Sequence, residues 1–137
     1  MTLTEEIAHL LDTLGVGTYQ TDGTPGGTIY LTALPDSPDI ALAVAAYGGA
    51  EADSLGRWAE PSIQVRTRGT ATDARTGEAL AQAALQALGT VPSQRLAGGT
   101  WLGLCVALQS APTYIGRDQS GRHEFTCNFR LHIERGA

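Results

Sequence analysis

The residues with the most obvious chemical potential stand in the last third of the chain: Cys105, Cys127, His123 and His132. Thiolate and imidazole are zinc donors, and His123, Cys127 and His132 share one strand-like segment. Side chains alternate along a strand, so His132 points to the face opposite Cys127. No C-x-x-C or H-x-x-x-H spacing supplies further ligands. The expectation is a core Cys127, an exposed His132 and no metal. Cys105 and Cys127 both lie in apolar segments, where a reduced thiol behaves as a small hydrophobe, so two free thiols are expected.

Other chemistries fare no better. Gly15-Val16-Gly17 lacks a third glycine at position 20, which is Gln20, and it follows a helical pattern rather than a strand. Neither Ser54 nor Ser120 stands in a G-x-S-x-G elbow. The acidic pairs Glu5/Glu6, Asp36/Asp39 and Glu51/Asp53 sit at helix starts and turns, where carboxylates cap and solubilise. Gly26-Gly27, Gly48-Gly49 and Gly98-Gly99 resemble phosphate loops only in composition and read as turns. All 9 basic residues are arginine. Without lysine there is no P-loop or Schiff-base lysine and no lysine general base. A net charge of −5 argues against a nucleic-acid partner, which needs cations to replace counterions on phosphate. We therefore expect no enzyme and no cofactor.

The elements that would position these residues form one domain, 1–137, with 42% hydrophobic residues available for its core. The longest apolar run, Ile40 to Tyr47, has 8 residues, against roughly 20 for a membrane span. Thr4, Glu5 and Glu6 occupy the place of a basic n-region, so no signal peptide is expected and the protein should stay in the cytoplasm until assembled. Leu3, Ile7, Leu10, Leu11 and Leu14 form one helical stripe, with Thr2 and Glu5 as a capping box, Gly15 as the stop, and Glu6 mostly on the polar face. Strands are expected at Thr18 to Thr21, Thr28 to Leu34, Ile40 to Tyr47 and Ser62 to Thr70, with a turn at Asp36-Ser37-Pro38-Asp39. A second helix spans Asp73 to Leu88, its buried stripe being Leu80, Ala81, Ala84, Leu85 and Leu88. A long hairpin then pairs Trp101 to Ala111, with Leu102, Leu104, Val106 and Leu108 on one face, against Arg122 to Glu134. On the last strand Phe125, Cys127, Phe129, Leu131 and Ile133 face inward.

This order predicts an α+β fold: a two-layer sandwich with a mostly antiparallel sheet and both helices on one face. The other face carries Arg66, Arg68, Asn128 and Arg130, and arginines grouped on an acidic chain suit salt bridges between subunits. Gly48 to Pro61 is the longest irregular connection and holds Leu55, Arg57 and Trp58. Leu55, Arg57, Trp58, Arg66, Arg68 and Arg130 are the candidate subunit-contact residues. Trp58 either anchors such a contact or folds back as a lid over the domain's own core. The Gly89 to Thr100 connection is a second candidate arm.

Nearly the whole chain resembles the small minor capsid or tail terminator proteins of long-tailed bacteriophages. The pieces are Leu14-Gly15-Val16-Gly17-Thr18-Tyr19, Leu34-Pro35-Asp36-Ser37-Pro38-Asp39, Tyr47-Gly48-Gly49 and Pro61 to Gly69. They continue with Leu108 to Pro112, Ile115 to Asp118, Gly121-Arg122 and Cys127-Asn128-Phe129. Their order and spacing carry the likeness, and none is an active-site signature. The resemblance implies a structural virion protein of the phage neck. It would form a homohexameric ring on the head-proximal end of the tail tube, end tube polymerisation and help join tail to head. Implied partners are further copies of the chain, the tail tube protein and the head–tail connector protein, with no sequence-specific nucleic acid and no membrane. The implied location is the virion, reached from the host cytoplasm during assembly. The alternatives are a head–tail connector (stopper), a tube protein, or a small-molecule-binding α+β domain built around a polar-lined pocket.

Overall fold

The structure is a computed structural model that describes residues 1–21 and 26–134. The first helix, α1 (Leu3–Thr13), forms as its stripe dictates. Thr2 accepts from the Glu5 amide while Glu5 reaches back to the Thr2 amide, satisfying donors that a helix start leaves orphaned. Gly15 follows with φ 81°, the left-handed geometry that suits a residue without Cβ. Ile7, Leu10 and Leu11 are buried, whereas Leu14, placed on the stripe by the sequence, is 41% exposed because the helix ends before it. Glu6 also departs from expectation and is buried. Its carboxylate accepts from the Gly98 amide at 2.9 Å, the Thr100 amide at 3.3 Å and the Thr100 hydroxyl at 2.6 Å, tying the 97–100 turn to α1.

Ten elements follow the order α1, β1 (Ile29–Leu31), β2 (Ala41–Gly49), β3 (Trp58–Ala59), β4 (Pro61–Arg68), α2 (Arg75–Gly89), β5 (Gln94–Arg95), β6 (Trp101–Ala107), β7 (Thr113–Arg117) and β8 (His123–Glu134). The fold is α+β. One eight-stranded sheet runs β1-β2-β4-β8-β6-β5, with β3 and β7 also paired to β8. Among the strand pairs of the described residues only β1–β2 is parallel. The strand expected at Thr18 to Thr21 reduces to a single bridge, Tyr19 to Ile29. The expected Thr28 to Leu34 strand stops at Leu31, before Thr32 turns to φ 69°. Part of the Gly15 to Gly27 connection lies outside the described residues.

Strand β8 is the axis of the sheet. Along one edge it pairs with β4 and then β3, from Arg68↔Glu124 to Trp58↔Glu134. Along the other it pairs with β7 and then β6, from Arg117↔His123 to Trp101↔Glu134. The expected long hairpin is thus two partner strands broken between Ala107 and Thr113. Within β6 the register shifts between Leu102 and Leu104, where Gly103 is the extra residue. That bulge reverses the alternation: Leu102, Cys105 and Ala107 oppose Ile133, Leu131 and Phe129, and Leu104 and Leu108 turn outward.

Alternation elsewhere builds one core. Val44, Ile63, Val65, Phe125, Cys127, Phe129, Leu131 and Ile133 join Ile7, Leu10 and Leu11 of α1 and Ala81, Ala84 and Leu88 of α2 in a single hydrophobic cluster. Gly69 and Gly77 let the end of β4 press against the start of α2, because a Cβ on either would strike the other's backbone. Thr67 seals this contact by donating to the Gly77 carbonyl at 2.8 Å.

Both thiols belong to this core. Burial pushes Cys105 up to about 12 and Cys127 up to about 11, so neither forms thiolate at neutral pH. Cys105 opposes Leu131 and Cys127 opposes Val65, so they are not cross-strand partners. The native protein should therefore resist a thiol reagent at pH 8 and yield two free thiols once denatured without reductant. A denatured count of zero would contradict this register.

Candidate functional site

The sheet separates His132 from the other residues first weighed for chemistry. Cys127 is buried with its Sγ 3.6 Å from the Ala81 carbonyl oxygen. His132, on the opposite face, stacks on Trp58 with ring centroids 5.5 Å apart and lies 3.7 Å from the Glu60 carboxylate. His123 shares a 2.9 Å hydrogen bond with the Tyr114 hydroxyl.

Trp58 was expected in an irregular loop. It belongs instead to β3, hydrogen-bonded along β8, and is half-buried. The connection left between Gly49 and Trp58 is a compact turn. The Asp53 amide donates to the Trp58 carbonyl at 3.2 Å, the Gly56 amide to the Asp53 carbonyl at 2.8 Å, and Arg57 binds the Asp53 carboxylate at 2.8 Å. The hydrogen bond from the Arg57 side chain holds the Asp53 carboxyl below the usual carboxylate range. Gly49, at φ 114°, closes the turn where its Cα meets the Glu60 carbonyl, a position no side chain could share. Leu55, at the tip, is 72% exposed.

The three outward arginines have different surroundings. Arg68 is buried, donating to the Pro38 carbonyl at 2.6 Å and the Asp39 carbonyl at 2.9 Å. Arg66 is half-buried, and its Nε has no partner among the described residues. Arg130 is exposed. Around it lies the open part of the outer face: Val106 and Ser62 are its cross-strand neighbours, and Leu104 opposes His132. Leu104 and Leu108 are 53% and 52% exposed. The Tyr47 hydroxyl and the Gln64 amide both donate to Asn128 Oδ1, at 2.9 and 3.2 Å, fixing the polar centre of this face.

At the other end of the face the 32–40 segment folds over the sheet, and Arg122 holds it there. Arg122 binds Asp118 at 2.8 Å, Asp39 at 3.2 Å and Asp36 at 3.4 Å, and donates to the Asp36 carbonyl. Burial pushes the Asp118 carboxyl up, but hydrogen bonds from the Arg122 backbone and side chain outweigh it and leave the group below the usual range. A polar cleft of about 330 Å³ lies among Arg66, Arg68, Arg122, Asp36, Asp118 and Glu124. Sequence reading missed Arg122. The available signal was the i,i+4 spacing of Asp118 and Arg122 across a turn, with Asp36 and Asp39 distant in the chain.

Three separated pieces of the chain therefore meet in one ion network: Leu34 to Asp39, the end of β4, and the β7–β8 turn. A family model described as bacteriophage tail terminator protein matches residues 10–135, from the middle of α1 past the end of β8. The chain belongs to the bacteriophage tail terminator family. No curated protein matches it. Terminators are structural proteins of the virion tail that work through contacts with other tail and head proteins. In this terminator Leu55 at the 50–57 turn, Leu104 and Leu108 on the outer sheet face, and Tyr114 and Ile115 on β7 are among the large apolar side chains that stay exposed. No helix among the described residues is long and apolar enough to cross a membrane.

Proposed function

We propose that this protein assembles into a ring, with a homohexamer as the expected form, on the head-proximal end of the tail tube. There it ends tube polymerisation and offers a surface to the head–tail connector protein. The observation that carries this reading is the family match across residues 10–135. A ring requires a heterologous interface, in which different patches of one subunit meet on its neighbour. Leu55, Arg57 and Arg130 remain the proposed contact residues, because their side chains are exposed. Trp58 supports the turn from below through its stack on His132. Arg66 remains a proposed contact residue, its Nε being without a partner among the described residues, whereas Arg68 contributes from within the subunit by holding the 32–40 segment in place. A connector or tube protein is the neighbouring reading, and tail morphology separates them. Phages lacking this protein should make tubes of uncontrolled length that do not join heads, as seen by electron microscopy. Tubes of normal length without heads would favour a connector, and absence of tubes would favour a tube subunit.

A further inference from the structure

We propose that the 50–57 turn of one copy docks, Leu55 foremost, on the outer sheet face of the next copy, between Leu104, Leu108 and Arg130. This rests on the ring reading and names the two surfaces that would meet. Leu55 is an apolar group displayed on a turn braced by five internal hydrogen bonds, so docking it costs little ordering entropy. On the receiving face, Leu104 and Leu108 stand exposed on either side of Val106, the cross-strand neighbour of Arg130. Within one copy Leu55 stays 72% exposed, so the turn does not cover its own strip.

Charge decides in favour of a second copy. Residues 50–57 carry Glu51 and Asp53 against Arg57, and Arg57 is spent on Asp53, which leaves the exposed Glu51. The strip offers a cation: Arg130 is exposed between Ser62 and Val106 and has no carboxylate within ion-pair distance among the described residues, while Glu60 lies against His132 at the Leu104 end. A turn with a free carboxylate and an apolar tip thus complements a strip with a free arginine and apolar flanks. Because turn and strip are different patches, each copy offers one and receives the other. Made head to tail, such a contact propagates around a ring; made reciprocally between two copies, or turn against turn, it stops at a dimer.

The test uses Leu55→Cys and Leu104→Cys chains with different tags, co-expressed and then oxidised. The buried Cys105 and Cys127 stay silent. The expected result is a mixed disulfide-linked dimer at least tenfold above that from either variant alone, in assemblies the size of wild type by native mass spectrometry. Arg130→Glu, a surface change, should leave the far-ultraviolet spectrum unchanged and weaken assembly at least tenfold. A wild-type ring without the mixed cross-link overturns this docking alone, as does efficient cross-linking by Leu55→Cys by itself or an Arg130→Glu chain that assembles normally. A wild-type chain that stays monomeric, alone and with tail tubes, overturns the ring reading and the docking with it.

Discussion

Phe129→Ala is expected to cost about 3–5 kcal/mol, the range for truncating a core aromatic, and to leave most of the chain unfolded or insoluble. Phe129 is fully buried at the middle of β8, with Ile63 and Ala107 as its neighbours on β4 and β6. The cavity would open where those strands and α2 share one core, so no single element could collapse into it. Thr126→Ala is the comparison. Thr126, on the opposite face, is also buried, because the Gln109 side chain folds across the sheet to its carbonyl. It is far smaller, however, and its loss should cost about 1 kcal/mol or less. Urea denaturation of both variants checks the contrast, and equal losses would place the core wrongly.

Glu6→Ala should cost about 3 kcal/mol. It strands two amides and a hydroxyl at the 97–100 turn, and each buried donor left unmade costs roughly 1–3 kcal/mol before the site relaxes. Glu6→Gln keeps an acceptor and should recover part of the loss. Glu5→Ala removes only an exposed cap and serves as the control. Thermal denaturation ranks the three, and hydrogen exchange at Gly98 and Thr100 locates the damage. A Glu6→Ala loss no greater than that of Glu5→Ala would reduce Glu6 to a surface residue.

These two residues mark the boundary of what the sequence makes legible. Phe129 was placed correctly because β8 alternates over its whole length and the period alone assigns a face. Glu6 was misplaced because its partners stand 92 and 94 positions away, beyond any local pattern. The same limit hid the Arg122 network, whose Asp36 partner is 86 positions distant. Leu104 and Leu108 were turned the wrong way by a single residue at Gly103, since one insertion reverses every later side chain in a strand. Trp58 falls in a loop by pattern because a strand of two residues has no period to read. For the proposed contact surfaces, the types were visible in Leu55 and Arg130. Their exposure, and the covering of Arg68 by Pro38 and Asp39, could come only from the folded chain.

The position of β8 also governs how the protein can be made. Strands β3, β4, β6 and β7 are all synthesised before it, yet each depends on it for hydrogen bonds. Until residues 123–134 have left the ribosome, β4 has only β2 and β6 only β5, and their apolar sides lack the row from Phe125 to Ile133. The nascent chain must therefore carry open strand edges, the feature that most readily recruits other chains, through most of its translation. Sheet closure is a late and nearly simultaneous event: one strand arrives and completes both halves at once.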